Sequence, residues 1–276
     1  MVLDEYYKLN CGARIPKIAL GTWQDSIEVA ASSVACAIEA GYRHIDTAIA
    51  YGNEKGVGEG VKKGLQAIGL HRENIFITSK IPPEVKSYEE TVRNIQISMD
   101  NLDSFHIDLM LIHAPKPWDE MWKDGYNYFK ENLQVWMALE EAYFAGKLRC
   151  IGVSNFDIDD LNNILDNGQV KPAVNQIRVH IGHVPFELIE FCQQNGILVE
   201  AYSPNATGRL ALVPEICEMA QTYGVTVAQL ASRFDLQLGL LPIPKSANEE
   251  RIRLNADLDF EISPFDMAQL LQIDGL

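Results

Sequence analysis

Four side chains of this sequence could together protonate a carbonyl oxygen: Asp46, Tyr51, Lys80 and His113. A tyrosine phenol, with a free pKa near ~10, is a weak acid at neutral pH, but a neighbouring lysine ammonium lowers that pKa. An aspartate paired with the lysine would keep the ammonium charged despite burial. A histidine can orient and polarise the carbonyl oxygen while hydride reaches the carbon. The same tetrad is equally consistent with a buried Asp46–Lys80 salt bridge on which Tyr51 packs.

Eight short apolar runs recur along the chain and would position the tetrad. They span 15–22, 44–48, 75–80, 107–114, 149–155, 172–177, 197–204 and 240–245, and helical patterns lie between them. Near-continuous apolar runs are typical of parallel strands buried on both faces. The alternation predicts an α/β fold, a single (β/α)8 TIM barrel domain over 1–276. We also expect an N-terminal β-hairpin over 6–17, turning at Cys11 and Gly12, and a C-terminal helix capped by Ser263.

Polar or ionisable residues close every predicted strand. In barrels of this kind the active site lies at the C-terminal ends of the strands, so these residues would form one polar rim. In chain order the strand ends carry Thr22 and Trp23, Asp46, Lys80, His113, Ser154 and Asn155, Asn175 and Gln176, Tyr202 and Ser203, and Lys245 and Ser246. Any one of them alone would indicate little, because a polar residue after a strand is usually just solvated.

The glycine-rich stretch 54–69 looks at first like a dinucleotide-binding fingerprint, but the pattern fails. A GxGxxG motif that begins at Gly56 requires glycine at position 61, where the chain has Val61. The stretch also has the apolar spacing of a helix, with the glycines inside it. We therefore expect the glycines to allow close packing of this helix on the barrel. A doubly wound open sheet, the rival fold, would need a glycine-rich turn after its first strand.

The composition argues against several classes of partner. The formal net charge is −15 and the longest basic run is Lys62-Lys63, so we expect no nucleic-acid partner. The longest segment without a charged residue, 219–232, is too short to span a bilayer, so we expect no membrane association. The five cysteines have no paired spacing, which disfavours a metal site and favours reduced thiols in a cytoplasmic protein.

A series of motifs resembles the aldo-keto reductase family along nearly the whole chain. The motifs follow in the family's order: "GYRHIDTAIAYGNE", "ITSK", "LMLIH", "IGVSNF", "VNQI", "AYSP" and "IPKS". In shape the chain is similar to the short bacterial type, the group that includes diketogluconate reductases. The resemblance implies NAD(P)H-dependent reduction of a small-molecule aldehyde or ketone by a monomer or weak dimer.

The resemblance also implies a role for each site residue. Tyr51 would be the proton donor, Lys80 with Asp46 would tune its acidity, and His113 would orient the substrate carbonyl. Implied cofactor contacts are Thr22, Asp46, Ser154, Asn155, Gln176, Tyr202, Ser203, Lys245, Ser246, Asn248, Arg251 and Asn255. Implied substrate contacts are Trp23, Tyr51, His113 and Ala114. No metal is implied.

The segment after the eighth run favours NADPH over NADH. Lys245, Arg251 and Arg253 lie within nine residues of one another in a very acidic chain. Ser246 is expected to open a helix, whose free backbone donors attract anions. Cations at a helix N-terminus suit the 2′-phosphate that distinguishes NADPH from NADH.

Several positions depart from the family pattern. Arg178 stands where an acidic residue is usual, Ile181 replaces a proline, and Leu254 replaces a Glu or Gln that contacts adenine. Ala114 stands where tryptophan is common, which predicts a wider substrate pocket. Trp118 or Trp122 could refill that space, or both could simply pack their loop down.

Two other functions are compatible with such a barrel. An NADPH-binding regulatory or structural protein with little turnover would share the fold, since fold does not determine function. The intact tetrad favours catalysis over that alternative. A phosphate-handling isomerase would need a glycine-rich phosphate loop and an acidic base. The segment "AYSPNATG" has one glycine and no acid, so this function ranks last.

Overall fold

Eight parallel strands form a nearly closed barrel with helices around it. The structure, a computed structural model, describes residues 1–121, 123 and 125–276. The strands are β1 (Tyr6–Lys8), β2 (Arg14–Pro16), β3 (Leu20–Gly21), β4 (His44–Asp46), β5 (Phe76–Ile81), β6 (Ile107–Ile112), β7 (Leu148–Ser154), β8 (Val174–Arg178), β9 (Leu198–Tyr202) and β10 (Leu241–Ile243). The helices are α1 (Ile27–Glu39), α2 (Glu54–Ile68), α3 (Tyr88–Asn101), α4 (Phe129–Phe144), α5 (Ile158–Asn167), α6 (Phe186–Gln194), α7 (Pro214–Thr222), α8 (Val227–Gln237), α9 (Glu249–Ala256) and α10 (Pro264–Leu270).

The barrel strands follow one another in chain order from β3 to β10, each paired in parallel with the next. The ring closes where Gly21, at the end of β3, forms a parallel bridge with Lys245. The Ala19 amide also donates to the Pro242 carbonyl at 3.2 Å. The predicted (β/α)8 barrel is therefore confirmed, and each of the eight apolar runs overlaps one barrel strand.

Apolar residues dominate the barrel strands because both of their faces are covered. All six residues of β5 and all six of β6 are buried. Burying one large aliphatic side chain contributes about 1.5–3 kcal/mol, so such strands drive folding.

Side-chain caps at Ser26, Ser87, Asp157, Thr226 and Ser263 each accept a backbone N–H of their own helix. The cap expected at Ser263 is thus confirmed. In the described ranges, every helix is too short or too polar to cross a membrane.

An antiparallel hairpin closes the floor of the barrel, as the sequence predicts. β1 pairs with β2, with Tyr6 opposite Pro16, and Gly12 adopts the left-handed conformation in the turn with φ +86°. Leu9 and Ile15 are buried in one apolar cluster with residues of β5, β6 and β10. The hairpin therefore covers the lower end of the barrel interior and leaves the other end open.

A disulfide bond joins this hairpin to the barrel wall, which corrects the expectation of reduced thiols. Cys11 in the hairpin turn is bonded to Cys150 in β7, at a sequence separation of 139. Spacing along the chain could not indicate this pairing, because only the closed barrel brings β7 under the hairpin. Cys36, Cys192 and Cys217 remain free thiols.

The glycines of α2 pack closely, as expected, but against other helices and not against the barrel. A Cβ added at Gly56 would lie 2.0 Å from the carbonyl oxygen of Ile27 in α1. One added at Gly58 would lie 2.7 Å from the carbonyl oxygen of Leu102, just after α3. Real Cβ atoms cannot approach backbone that closely, so glycine lets α2 contact α1 and the end of α3.

Reduction of the disulfide is expected to destabilise the protein. Closing a loop of 139 residues lowers the entropy of the unfolded chain, which sets an upper limit of roughly 5 kcal/mol on the stabilisation. Urea unfolding with and without dithiothreitol should show a free-energy difference of roughly 2–5 kcal/mol. Cys11→Ser should remove the difference and Cys217→Ser should retain it. Equal midpoints for oxidised and reduced wild type would contradict the prediction.

Candidate active site

The tetrad comes together at the open end of the barrel. Asp46 ends β4, Tyr51 ends the short 3-10 turn that follows, Lys80 lies in β5, and His113 follows β6. Lys80 is fully buried, and its Nζ donates to Asp46 Oδ1 at 2.7 Å and Oδ2 at 2.8 Å. The same Nζ donates to the Thr47 carbonyl at 2.8 Å and to the Tyr51 hydroxyl at 3.4 Å. Each ammonium proton therefore has an acceptor, and one acceptor is the phenol.

Burial and charge act in opposite directions on Lys80 and on Tyr51. Burial lowers the pKa of Lys80, but Asp46, with smaller contributions from Tyr51 and Glu200, more than compensates and holds that pKa above its usual value. Burial raises the pKa of Tyr51, and the Lys80 charge offsets only part of that rise. The sequence-based expectation of a lowered Tyr51 pKa is therefore wrong in net direction, although the contribution of Lys80 has the expected sign. Tyr51 keeps its proton at neutral pH.

His113 is a neutral imidazole beside the phenol. Burial and the nearby Lys80 charge lower its pKa well below the usual value. Its ring meets the Tyr51 ring edge-on, with 5.6 Å between the centroids. The Asn155 side chain donates to the His113 backbone carbonyl at 3.0 Å, which fixes the backbone that carries the ring. A neutral imidazole can donate one hydrogen bond to an oxygen that also faces Tyr51.

A cavity of about 890 Å³ opens above the tetrad. Asp46, Tyr51 and His113 line it, together with Ser154, Asn155, Gln176, Tyr202 and Ser203. Within this group the Ser154 hydroxyl donates to the backbone carbonyl of Gln176 at 2.8 Å. The Tyr202 hydroxyl donates to Asn155 Oδ1, also at 2.8 Å. The residues predicted to hold the nicotinamide carboxamide and ring therefore lie together along one wall, next to the tetrad.

The other end of the same cavity is cationic. Lys245 and Arg251 line it, and the Lys245 ammonium pairs with Asp25 at 2.6 Å. The expected helix begins later than predicted, because Asn248 and not Ser246 is the N-cap of α9 and accepts the Arg251 N–H at 2.9 Å.

The remaining predicted cofactor residues lie beside the cavity without lining it. Ser246 accepts the Asn248 N–H at 3.1 Å, and Asn255 is buried on α9. Thr22 is buried and donates to the Asp46 carbonyl at 3.0 Å, where it supports the backbone of β4. Arg253 does not line the cavity and is exposed on α9.

The loop after β9 is a feature that the sequence analysis undervalued. Ala206, Thr207 and Gly208 all have positive φ and all line the cavity, and so does Arg209. The Ala206 and Gly208 amides already donate to the Ser203 and Asn205 carbonyls, both at 2.8 Å, so the group that this loop offers to an anion is the Arg209 guanidinium. In the sequence, the single glycine and the missing acid of "AYSPNATG" counted only against a phosphate-handling isomerase, and the cation at Arg209 was not weighed. The arginine that follows was the available signal.

The substrate end of the cavity differs from the expectation at one position. Trp23 lines the cavity, but Ala114 is fully buried behind it, which corrects the predicted substrate contact. Trp118 lines the cavity and packs edge-on against His113, with 5.1 Å between ring centroids. Trp118 therefore lies beside His113 at this end of the cavity, which is consistent with the prediction that it refills the space near Ala114. The other candidate, Trp122, lies outside the described residues.

The other three residues that depart from the family pattern differ in their exposure. Arg178 ends β8 and lines the cavity, which adds a cation where the family usually has an acid. Ile181 is fully buried and Leu254 is exposed.

Comparison with known proteins agrees with this geometry. Residues 17–275 match the model of the Aldo/keto reductase family. The chain belongs to the aldo/keto reductase family. It is accordingly an NAD(P)H-dependent oxidoreductase that acts on a small-molecule carbonyl compound.

Relatives of this aldo/keto reductase are similar over nearly their whole length. The uncharacterized oxidoreductase YtbE of Bacillus subtilis (strain 168) is 40% identical over 264 residues, 95% of this chain and 90% of that protein. Glyoxal reductase of the same organism is 40% identical over 270 residues, 97% of this chain and 92% of that protein. The structure of Bombyx mori aldo-keto reductase (AKR2E4) in complex with NADP matches with a TM-score of 0.88 at 34% identity, covering 98% of this chain and 92% of that one.

The buried pair of this reductase is expected to dominate local stability. Asp46→Asn removes the carboxylate that balances Lys80, and an uncompensated buried charge costs about 3–5 kcal/mol. Urea unfolding at pH 7 should show that loss. As a control, Glu59→Gln breaks an exposed pair with Lys63 at 3.9 Å and should change stability by less than about 0.5 kcal/mol. A loss as small for Asp46→Asn as for the control would refute the prediction.

Proposed function

We propose that this protein reduces an aldehyde or ketone to an alcohol with NADPH, and that Tyr51 donates the proton. The observation that carries the proposal is the Tyr51 hydroxyl. It opens on the cavity on one side and lies 3.4 Å from the buried Lys80 ammonium on the other. A phenol in this position can release its proton toward the cavity, because the ammonium behind it stabilises the phenolate that results.

The substrate carbonyl oxygen would accept hydrogen bonds from Tyr51 and His113. Both side chains line the cavity and their ring centroids are 5.6 Å apart, close enough for one oxygen to contact both. NADPH, when bound, supplies the hydride that the carbonyl carbon receives. As negative charge develops on the oxygen, the Tyr51 proton moves to it, and the Lys80 ammonium, kept charged by Asp46, compensates the charge left on the phenolate. Trp23 and Trp118 form an aromatic wall that would exclude water from the reacting carbon.

The cavity suits NADPH along its whole length. Ser154, Asn155 and Gln176 would hold the nicotinamide carboxamide, and Tyr202 would stack on the ring. Ser203 and the Arg209 cation in the loop that follows would contact the pyrophosphate, since both line the cavity. At the far end Lys245 and Arg251 would bind the 2′-phosphate, together with Ser246 and Asn248, and Asn255 would contact adenine. Cations are uncommon in a chain of net charge −15, so their position in this cavity supports a phosphorylated ligand.

The remaining sequence-based expectations stay predictions. We infer that 1–276 forms a single domain, that the protein is a monomer or weak dimer, and that it is cytoplasmic. The similarity to a glyoxal reductase makes small aldehydes and dicarbonyls the first substrates to test.

Tyr51→Phe should abolish turnover and spare cofactor binding. The substitution removes the proton donor and little else, so kcat/KM should fall by roughly 10²–10⁴-fold. NADPH oxidation should be followed with a panel of aldehydes and ketones, beside a fluorescence titration of NADPH binding. Tyr88→Phe is the matched control, because Tyr88 lies at the start of α3 and bonds Glu141 outside the cavity.

Three outcomes of that experiment differ in meaning. Loss of turnover in Tyr51→Phe with intact NADPH binding supports the proposal. Binding without turnover in wild type would favour the regulatory or structural alternative. Turnover by Tyr51→Phe at the wild-type rate would show that the proton comes from another group.

The preference for NADPH should depend on Arg251. Arg251→Met removes a charge-assisted hydrogen bond to the 2′-phosphate, which is worth about 1.5–3 kcal/mol, so NADPH should bind roughly 10–100-fold more weakly. NADH affinity should not change, because NADH lacks that phosphate. Arg253→Met, two residues along the same helix, is the control and should leave both affinities unchanged. Parallel weakening of NADPH and NADH binding by Arg251→Met would be inconsistent with a 2′-phosphate contact.

A further inference from the structure

A second carboxyl group lies beside the tetrad in the barrel interior. Glu200 belongs to β9, is fully buried, and stands opposite Gln176 in the β8–β9 pairing. Gln176 Nε2 donates to Glu200 Oε2 at 2.7 Å. Among the described residues, the other oxygen of Glu200 has no hydrogen-bond partner. A carboxyl group in an otherwise apolar strand is costly to bury, which requires an explanation.

The side-chain amide of Gln176 is held on two sides. Its Nε2 donates one hydrogen to Glu200 and the other to Asp46 Oδ2, the latter at 2.8 Å. The opposite amide orientation would set the side-chain oxygen of Gln176 against the Asp46 carboxylate, so the two hydrogen bonds of Nε2 fix this orientation. Gln176 also lines the cavity, and its amide oxygen is the acceptor left for a ligand there.

We propose that Glu200 is a positioning residue for the nicotinamide end of the cofactor, acting through Gln176. It holds the Gln176 amide so that the carbonyl oxygen can accept the N–H of the nicotinamide carboxamide. The same Gln176 amide donates to Asp46, so the nicotinamide contact is connected by hydrogen bonds to Asp46, Lys80 and Tyr51. The inference rests on the proposed function, because it assigns the nicotinamide to this end of the cavity.

Glu200 performs this role as a neutral acid at pH 7. Three polar groups face Glu200: Asp46 from β4, Lys80 from β5 and Gln176 from β8. On β10 the residue paired with Glu200 is the apolar Leu241. Burial, with the Asp46 charge next, raises the pKa of Glu200 to about 8. A protonated carboxyl still offers an oxygen to the Gln176 amide, and it leaves the Asp46 charge to balance Lys80. A glutamine at position 200 has the same shape and also offers that oxygen.

The test compares Glu200→Gln with Glu200→Leu. NADPH binding is measured beside the binding of 2′,5′-ADP, which carries the 2′-phosphate and adenine but no nicotinamide. Glu200→Leu removes the acceptor for Gln176, so NADPH should bind about tenfold more weakly, the effect of one hydrogen bond, and kcat should fall. Its 2′,5′-ADP affinity should stay at the wild-type value. Glu200→Gln should match wild type in both affinities at pH 7.

Other outcomes would overturn the inference. These are unchanged NADPH binding in Glu200→Leu, equal weakening of both ligands, or a Glu200→Gln variant as impaired as Glu200→Leu. If Glu200→Leu fails to fold, Glu200→Met replaces it, because an unbranched side chain fits the same space more easily. The proposed function is tested separately by turnover of wild type, since the two binding measurements do not depend on catalysis.

The pH profile provides a second readout that a merely structural role would not change. As pH rises through about 8, Glu200 ionises beside Asp46, and the added negative charge opposes loss of the Tyr51 proton. In wild type kcat for carbonyl reduction should fall across that range, and in Glu200→Gln the fall should move to higher pH. Coincident profiles for the two proteins would overturn the assignment of this charge to Glu200.

Discussion

The structure of the site depends on one buried ion pair, Lys80 with Asp46. An ammonium group that is fully removed from water is tolerated only with a counter-charge and a full set of acceptors. Asp46 provides the charge and two oxygens, the Thr47 carbonyl a further acceptor, and the Tyr51 hydroxyl the last. The acceptor that stabilises the fold is therefore also the group that faces the cavity. Fold stability and reactivity are linked through the same ammonium.

The barrel interior is apolar at the floor and polar at the rim. At the floor, the hairpin residues Leu9 and Ile15 pack with strand residues into an apolar cluster. At the rim, Asp46, Lys80, Gln176 and Glu200 form one connected hydrogen-bond network. Buried polar groups cost little when each has a partner, and a connected network holds every member in place. The apolar floor supplies the stability that allows the rim to be polar.

Sequence reasoning predicted the architecture well because the relevant signals are local. Apolar runs, their alternation with helices and the cap at Ser263 are all properties of short segments. The same reasoning missed what depends on distant contacts. The Cys11–Cys150 bond and the helix partners of the α2 glycines exist only once the barrel closes. Glu200 was passed over because an isolated acid in an apolar strand has no local partner, and only the pairing of β8 with β9 reveals Gln176 opposite it.

The candidate residues themselves were found from strand ends, but their electrostatics were not. A lysine near a tyrosine lowers the phenol pKa, and that contribution is present for Tyr51. Burial is the larger effect, and burial is a property of the folded molecule that no motif reports. The phenol therefore keeps its proton at neutral pH and has it available to donate, and the nearby Lys80 charge is what favours its release. Charge that develops on a carbonyl oxygen beside Tyr51, with Lys80 behind it, is what then draws the proton across.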